Sequence, residues 1–213
     1  MSIDKKKILI LGSGGHAKVV ADTIEQVGEY QIAGFIDNIN TGHVYLDYSV
    51  IGNDDQLKEL FDSGITCAAM GIGYLGESNL RQRLYQVLKD IGFEMPAIID
   101  RTAAVAKEVV LAEGAYVGKQ AVVNSEASLG IMSIINSSAV VEHNCDIGDF
   151  SHVAVGATVC GGTYIGDATL IGAGAVVVQE KHIGNNVIVG AGSVVIDDVK
   201  DGQKVVGVPA KSI

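Results

Sequence analysis

His16, His143, His152 and His182 carry imidazoles, whose ordinary pKa near 6.5 suits them to proton transfer or metal ligation at neutral pH. Two of them share one stretch, Val141-Glu142-His143-Asn144-Cys145-Asp146-Ile147-Gly148-Asp149-Phe150-Ser151-His152, which also holds three carboxylates, an amide and a thiol. His16 ends the run Gly12-Ser13-Gly14-Gly15-His16. Glycines of that density let backbone approach a ligand, and N–H groups opening a following helix attract phosphate.

The elements around the glycine-rich turn fit that use. Lys7-Ile8-Leu9-Ile10-Leu11 reads as a strand buried on both faces. Ala17, Val20, Ile24 and Val27 then recur at helical spacing, with Gly28 placed to cap the helix. Strands are expected at 31–36, 66–70 and 97–99, a short helix around Leu57, Leu60 and Phe61, and a longer one through Leu80, Leu84, Leu88 and Ile91. The alternation implies an α/β, Rossmann-like domain over residues 1–100. Gly12-x-Gly14-x-x-Ala17 satisfies the dinucleotide fingerprint. Asp37 follows Ala17 by about 20 residues, the separation at which a ribose-binding acid is expected. About 100 residues supply only one mononucleotide-binding half, which favours a nucleotide phosphate over NAD. At residue level, alternatives stay open. Gly14 and Gly15 hold a phosphate or only make a tight turn, His16 meets the phosphate or caps the helix, and Gly73 admits a ligand or merely turns the chain.

From Val105 onward every sixth residue is aliphatic, through Leu111, Val117, Val123, Leu129, Ile135, Val141 and so on to Val195, sixteen positions in succession. Four residues after each stands a mostly small side chain, such as Ala115, Ala121, Ala127, Ser133 and Cys145, and one residue after it often a glycine, as at Gly118, Gly130, Gly148 and Gly166. This hexad predicts a parallel β-helix over 101–213 with a C-terminal tail, three hexads to a triangular coil. The aliphatics fill a narrow prism, the small residues fit its crowded corners, and glycine is expected to turn them. No long loop leaves the hexads, so a substrate pocket needs a neighbouring chain or the N-terminal domain.

Hexad phase places the polar side chains. His143, two residues past an interior aliphatic, projects outward at or near a corner, where it is either functional or an ordinary surface residue. His152 and His182 share an outward phase five hexads apart. A metal site needs about three converging ligands, and these histidines fall on separate coils or faces, so no metal is expected. Cys145 points inward and is expected to pack.

Composition narrows the classes. The 213 residues include 27 Gly but only 5% aromatics, and 48% are apolar, which excludes collagen and a disordered chain. A net charge of −10 disfavours nucleic acid and anionic membrane. No apolar run approaches the ~20 residues of a membrane span. Three scattered cysteines suit a reducing cytoplasm. Of 28 valines, 22 follow residue 100, and no arginine follows Arg101, which marks the boundary between the two domains.

With Gly12-Ser13-Gly14-Gly15-His16, the stretch from Val141 to His152 and the ending Val206-Gly207-Val208-Pro209-Ala210-Lys211, the chain resembles throughout its length the sialic acid O-acetyltransferase/pilin-glycan acetyltransferase family of hexapeptide acyltransferases. In pattern it is most similar to those acting on nucleotide-linked 4-amino sugars. The resemblance implies a homotrimer of left-handed β-helices with acetyl-CoA bound between adjacent prisms. It implies His143 as general base, His152 near the thioester, backbone around Ala173 and Ala191 along the coenzyme groove, and Pro209 near the coenzyme's far end. Gly14, Gly15, His16, Asp37, Asn38 and Gly73 would hold the nucleotide sugar. The acceptor would be the 4-amino group of a UDP-4-amino-4,6-dideoxy sugar, with a hydroxyl of sialic acid or a related sugar as the alternative. A metal-dependent β-helix hydratase and a non-catalytic nucleotide-binding scaffold are the readings from other classes. One departure stands out. The pilin-glycan enzyme carries a carboxylate after its histidine, whereas this chain has Asn144, which orients a ring but brings no charge. Glu142 or another carboxylate would have to replace it, and loss of Asn144 is expected to cost less than about 1.4 kcal/mol, a tenfold effect.

Overall fold

A computed structural model describes residues 5–76 and 79–213, which form two compact units. In the first, β1 (Lys6–Leu11) lies at 0–1% exposure over Ile8–Leu11, as expected of a strand covered on both faces. It pairs in parallel with β2 (Tyr30–Ile36) and β5 (Cys67–Met70). Helix α1 (Gly15–Val27) buries Ala17, Val20 and Ile24, and Gly28 ends it in the left-handed conformation at φ 71°. Helices α2 (Leu57–Asp62) and α3 (Leu80–Ile91) match the expected periodicity.

Two elements differ from the sequence reading. Strands β3 (His43–Tyr45) and β4 (Tyr48–Gly52) form an antiparallel hairpin on the β2 edge, giving the order β3-β4-β2-β1-β5. Its turn runs through Leu46 at φ 47°, so the glycine or asparagine that ordinarily signals such a turn is missing. The strand Ile98–Ile99 does not close this sheet; it heads one wall of the β-helix.

The second unit, Ile99–Ile213 with the described part of the segment 74–78, is a left-handed parallel β-helix. Sixteen two-residue strands, from Ala104–Val105 to Val194–Val195, lie on three walls. Partners stand three hexads apart, as in Val123↔Val141, Leu129↔Ile147 and Ile135↔Val153. The hexad aliphatics from Val117 to Val195 are at most 2% exposed, and the small residues Ala115, Ala121, Ala127 and Cys145 at most 1%.

Corner glycines act differently from expectation. Left-handed backbone recurs at every sixth residue from Gly114 to Gly192, three residues past each aliphatic, and most of these positions are not glycine: Gln120, Glu126, Met132, Ser138, Asn144 and Phe150 among them. For a side-chain-bearing residue that conformation costs about 1–2 kcal/mol. It is held by hydrogen bonds to the preceding coil, such as Ser138 N–H to Lys119 O and Asn144 N–H to Ser125 O.

Glycines one residue past the aliphatic serve close stacking instead. A Cβ on Gly148 would lie 2.6 Å from Asp167 Oδ1 and from Gly166 C, and one on Gly130 would meet Asp149 in the same way. Along this corner runs a ladder in which each side chain accepts an N–H from the coil before it: Ile131 to Asp149, Asp149 to Asp167, Asp167 to Asn185 and Asn185 to Asp201. No helix among the described residues is long and apolar enough to cross a membrane. Gly148→Ala is expected to lower the unfolding free energy by about 1–3 kcal/mol, as overpacking of a close-packed interior does, measured by chemical denaturation.

Candidate active site

In the first unit, the Gly12–His16 turn, the chain after β2 and the chain after β5 enclose a cavity of about 450 Å³. It collects all six residues expected to hold a nucleotide sugar: Gly14, Gly15, His16, Asp37, Asn38 and Gly73. The turn's glycines separate by purpose. Gly12 has φ 86°, and its Cβ would press on Ile72 at 2.8 Å, so the fold itself demands glycine there. Around Gly14 and Gly15 nothing lies within 4 Å of a Cβ, so no neighbour in the chain demands glycine at either. Gly14 is the N-cap of α1 and brings no side chain with which to cap that helix. Gly73 meets only the His16 side chain at ordinary contact distance. The neighbour that packing does require is Gly71, whose Cβ would strike Ala17 and Leu11 O at 2.7 Å.

Asp37, expected as the ribose-binding acid, is bonded within the chain. Oδ2 accepts from Ser13 N–H at 3.0 Å and Ser13 Oγ–H at 2.6 Å, while Oδ1 accepts from the Ile39 and Asn40 N–H groups at 2.9 Å. Those bonds fill its acceptor sites, so Asp37 fixes the loop that lines the cavity. Burial opposes the charge, but the bonds from Ser13, Asn40 and Ile39 outweigh it and bring the carboxyl down to about 2. Asn38 is also held, donating to Asp54 Oδ2 and accepting from Asp54 N–H.

In the second unit, His143 stands exposed at the corner that follows the wall containing Val141. Its ring lies close against the next coil: a Cβ on Gly161 would fall 2.7 Å from both Cε1 and Nε2. His143 Nδ1 lies 2.8 Å from Asn144 Oδ1, and Asn144 Nδ2 donates to Glu126 Oε2 at 2.5 Å. Glu142 reaches only the His143 backbone, at 3.4 Å. Nε2 has no hydrogen-bond partner among the described residues, so this edge of the ring can accept a proton.

His152 lies on the outer wall as its phase predicts, yet is only 6% exposed. Residues 74–76 cross that wall: Tyr74 O accepts from His152 Nδ1–H at 2.7 Å, Tyr74 OH donates to Ala168 O, and Gly76 sits on Ile188 so closely that a Cβ would overlap it. Asn136 uses its oxygen for Ser137 N–H, so its amide group faces His152 Nε2 at 3.0 Å. Both ring nitrogens are thereby engaged within the chain. His182 stacks on Tyr164 on another wall, with ring centroids 4.5 Å apart. Among the described residues no group of three or more His, Cys, Asp or Glu is placed to hold a metal ion. Cys145 is buried and bonds to Cys160 O, and burial pushes its thiol up.

Ala173 and Ala191 are exposed and stacked on successive coils at a different corner, the one before the Val141 wall. The tail that carries Pro209 folds back beyond them, with Gly207 N–H on Ser193 Oγ and Ala210 N–H on Val194 O. One chain therefore does not join His143 to the Ala173 and Ala191 corner. Sequence reasoning missed Glu126, Gly161 and the 74–76 segment. The first two were within reach, since the three-hexad coil sets Glu126 under Asn144 and Gly161 over His143.

The family described as PglD N-terminal domain matches residues 7–88. No curated protein sequence matches the chain. Among solved structures, a variant of GDP-perosamine N-acetyltransferase from Caulobacter crescentus, in complex with CoA and GDP-perosamine, is 35% identical with a TM-score of 0.92, covering 97% of this chain and 96% of its own. The acetyltransferase domain of PglB from Neisseria gonorrhoeae, in complex with acetyl coenzyme A, is 32% identical with a TM-score of 0.92, covering 98% and 100%. WeeI from Acinetobacter baumannii shares the fold at 23% identity and a TM-score of 0.68, covering 97% and 99%.

The Asp37 contribution to stability has a definite sign. Its carboxyl is lowered on folding, so the stabilisation is complete above the unfolded value near 3.9 and is lost as pH falls toward 2. Asp37→Asn, whose amide cannot accept from all those donors, is expected to lower the melting temperature at pH 7. The gap from the parent protein should shrink between pH 4 and pH 2, as thermal unfolding across that range would show.

Proposed function

Because the chain belongs to the pilin-glycan and amino-sugar acetyltransferase family, we propose that it transfers the acetyl group of acetyl-CoA to the 4-amino group of a nucleotide-linked 4-amino-4,6-dideoxy sugar. It is an acyltransferase, and two relatives that match nearly its whole length were captured with CoA or acetyl-CoA. The observation that carries the finer reading is His143, whose Nδ1 is engaged and whose Nε2 is open at an exposed corner.

The chemistry follows from the amine. Protonated in part at neutral pH, it cannot attack a thioester until it loses a proton. The ammonium proton is lost to water; the neutral nitrogen then bonds to the carbonyl carbon, and His143 Nε2 accepts the second proton, which that nitrogen sheds as the bond forms. The tetrahedral oxyanion then collapses, the carbon–sulfur bond breaks, and the thiolate of CoA leaves and is protonated by the imidazolium. Transfer is direct, without an acyl-enzyme; the buried Cys145 thiol supports this. Glu126 and Glu142 at the same corner favour a cationic amine over the carboxylate-bearing sialic acid of the alternative.

The cavity of the first unit is proposed to hold the nucleotide, with its diphosphate at Gly14, Gly15 and His16 and its walls set by Asp37, Asn38 and Gly73. The proposed coenzyme site needs more than one copy of the chain. The Val141 wall carries the half-buried outward residues Val122, Val140, Val176 and Val194 and is flanked by both corners, His143 on one side, Ala173 and Ala191 on the other. A homotrimer packed on this wall would bring His143 of one copy to the Ala173 and Ala191 corner of the next, with Pro209 at the coenzyme's far end. His152 then supplies wall rather than an N–H beside the thioester, since both its nitrogens are used.

The test is CoA release from acetyl-CoA with two acceptors side by side, a UDP-4-amino-4,6-dideoxyhexose, which the reading names, and GDP-perosamine. The UDP sugar should turn over and His143→Ala should abolish the reaction; full activity in that variant would sink the mechanism. Gly161→Ala, which displaces the ring from its seat, should cut turnover at least about tenfold, equivalent to ~1.4 kcal/mol, with the circular dichroism spectrum unchanged.

A further inference from the structure

The carboxylate missing beside His143 stands one coil away. Resting on the reading of His143 as the base, we propose that Glu126, acting through Asn144, is a positioning residue that selects which nitrogen of His143 carries the proton.

What each group can donate or accept decides the arrangement. An ionised carboxylate only accepts hydrogen bonds, so Asn144 must turn its NH2 toward Glu126, and the 2.5 Å contact is that bond. The amide oxygen then necessarily faces His143 Nδ1, at 2.8 Å. An amide oxygen only accepts, so Nδ1 carries the hydrogen and Nε2 keeps its lone pair. Asn144 alone could not make this choice, because its two ends are nearly equal in size. Turned over, its NH2 would donate to Nδ1 and leave the proton on Nε2, where the ring cannot accept another. Glu142 does not compete for this role, since its contact is with the His143 backbone.

Backbone geometry makes the pairing dependable. Glu126 and Asn144 occupy the same left-handed corner position, at φ 61° and φ 58°, on successive coils. The Asn144 N–H bond to Ser125 O at 3.0 Å locks the two coils together beside them. The duties that one carboxylate would combine are thus divided: Asn144 touches the ring, and Glu126 fixes the sense of the amide and supplies charge behind it when Nε2 takes up a proton.

Ligand-free protein labelled with 15N-histidine provides the direct readout, because ring 15N–1H correlation spectra distinguish the two neutral tautomers. His143 should show the Nδ1–H form in the parent protein. Glu126→Leu, at an exposed position, should lose that preference and lower the rate constant for CoA release with the UDP-4-amino-4,6-dideoxyhexose by about tenfold or more, so that losing Asn144 costs more than the residue alone suggests. In Glu126→Gln/Asn144→Asp the charge moves next to the ring and the amide stands behind it, and both the Nδ1–H tautomer and a rate within about threefold of the parent should return. A merely structural role for Glu126 predicts no such rescue. An unchanged tautomer in Glu126→Leu, or a double variant no better than the single one, overturns the proposal. His143→Ala separates the two readings. If it is inactive while Glu126→Leu is unaffected, the relay falls and the base stands. If it is fully active, the base falls, and the spectra still decide whether Glu126 sets the tautomer.

Discussion

The hydrogen bond from corner N–H groups to the coil before, repeated from Met132 to Gly192, governs the second unit. It fixes a repeat of three hexads, holds side-chain-bearing residues in left-handed backbone, and stacks every corner residue on its counterpart. Individually such bonds contribute about 0.5–1.5 kcal/mol. Repeated at every turn with the parallel strand pairs, they make the walls a nearly rigid lattice. The hexad aliphatics fill the inside of that lattice, and its outside presents side chains in vertical columns.

The proposed active site is built from these columns. His143 has room because Gly161 lies over it, and the Asn144 amide beside it has a carboxylate partner because Asn144 lies over Glu126. The Asx ladder on another corner applies the same stacking to stability, each side chain saturating an N–H of its neighbour. Glycines are placed where such a side chain or the next backbone would otherwise collide with a Cβ. The first unit achieves rigidity by another route, tying the loop after β2 to Asp37 and leaving Gly14 and Gly15 open toward the cavity.

Much of this is legible in the residues. Hexad aliphatics from Val105 to Val195 announce the prism, and Gly12 to His16 the cavity, since both depend on periodicity or on a local turn. What escapes depends on contacts distant in sequence. Asp37 has the spacing of a ribose acid, but only the loop conformation shows its oxygens taken by Ser13, Ile39 and Asn40. The 74–76 segment carries no periodic signal, so its crossing over His152 cannot be read. Ile98–Ile99 resembles any short apolar strand, and its place is decided by a pairing outside the reach of pattern. Abundant glycine in the hexads suggests turning, whereas the turns are made largely by residues such as Glu126 and Asn144.

The repeat also constrains how such a chain can change length. Inserting one residue would rotate every later side chain off its column, breaking the ladder and parting partners such as Glu126 and Asn144 if it fell between them. Inserting a single hexad would keep the interior aliphatic but carry each later residue to the next wall. Only a whole coil restores every column. Growth and loss in this unit are therefore quantised in whole coils, while substitutions on the outer columns remain free to vary the chemistry.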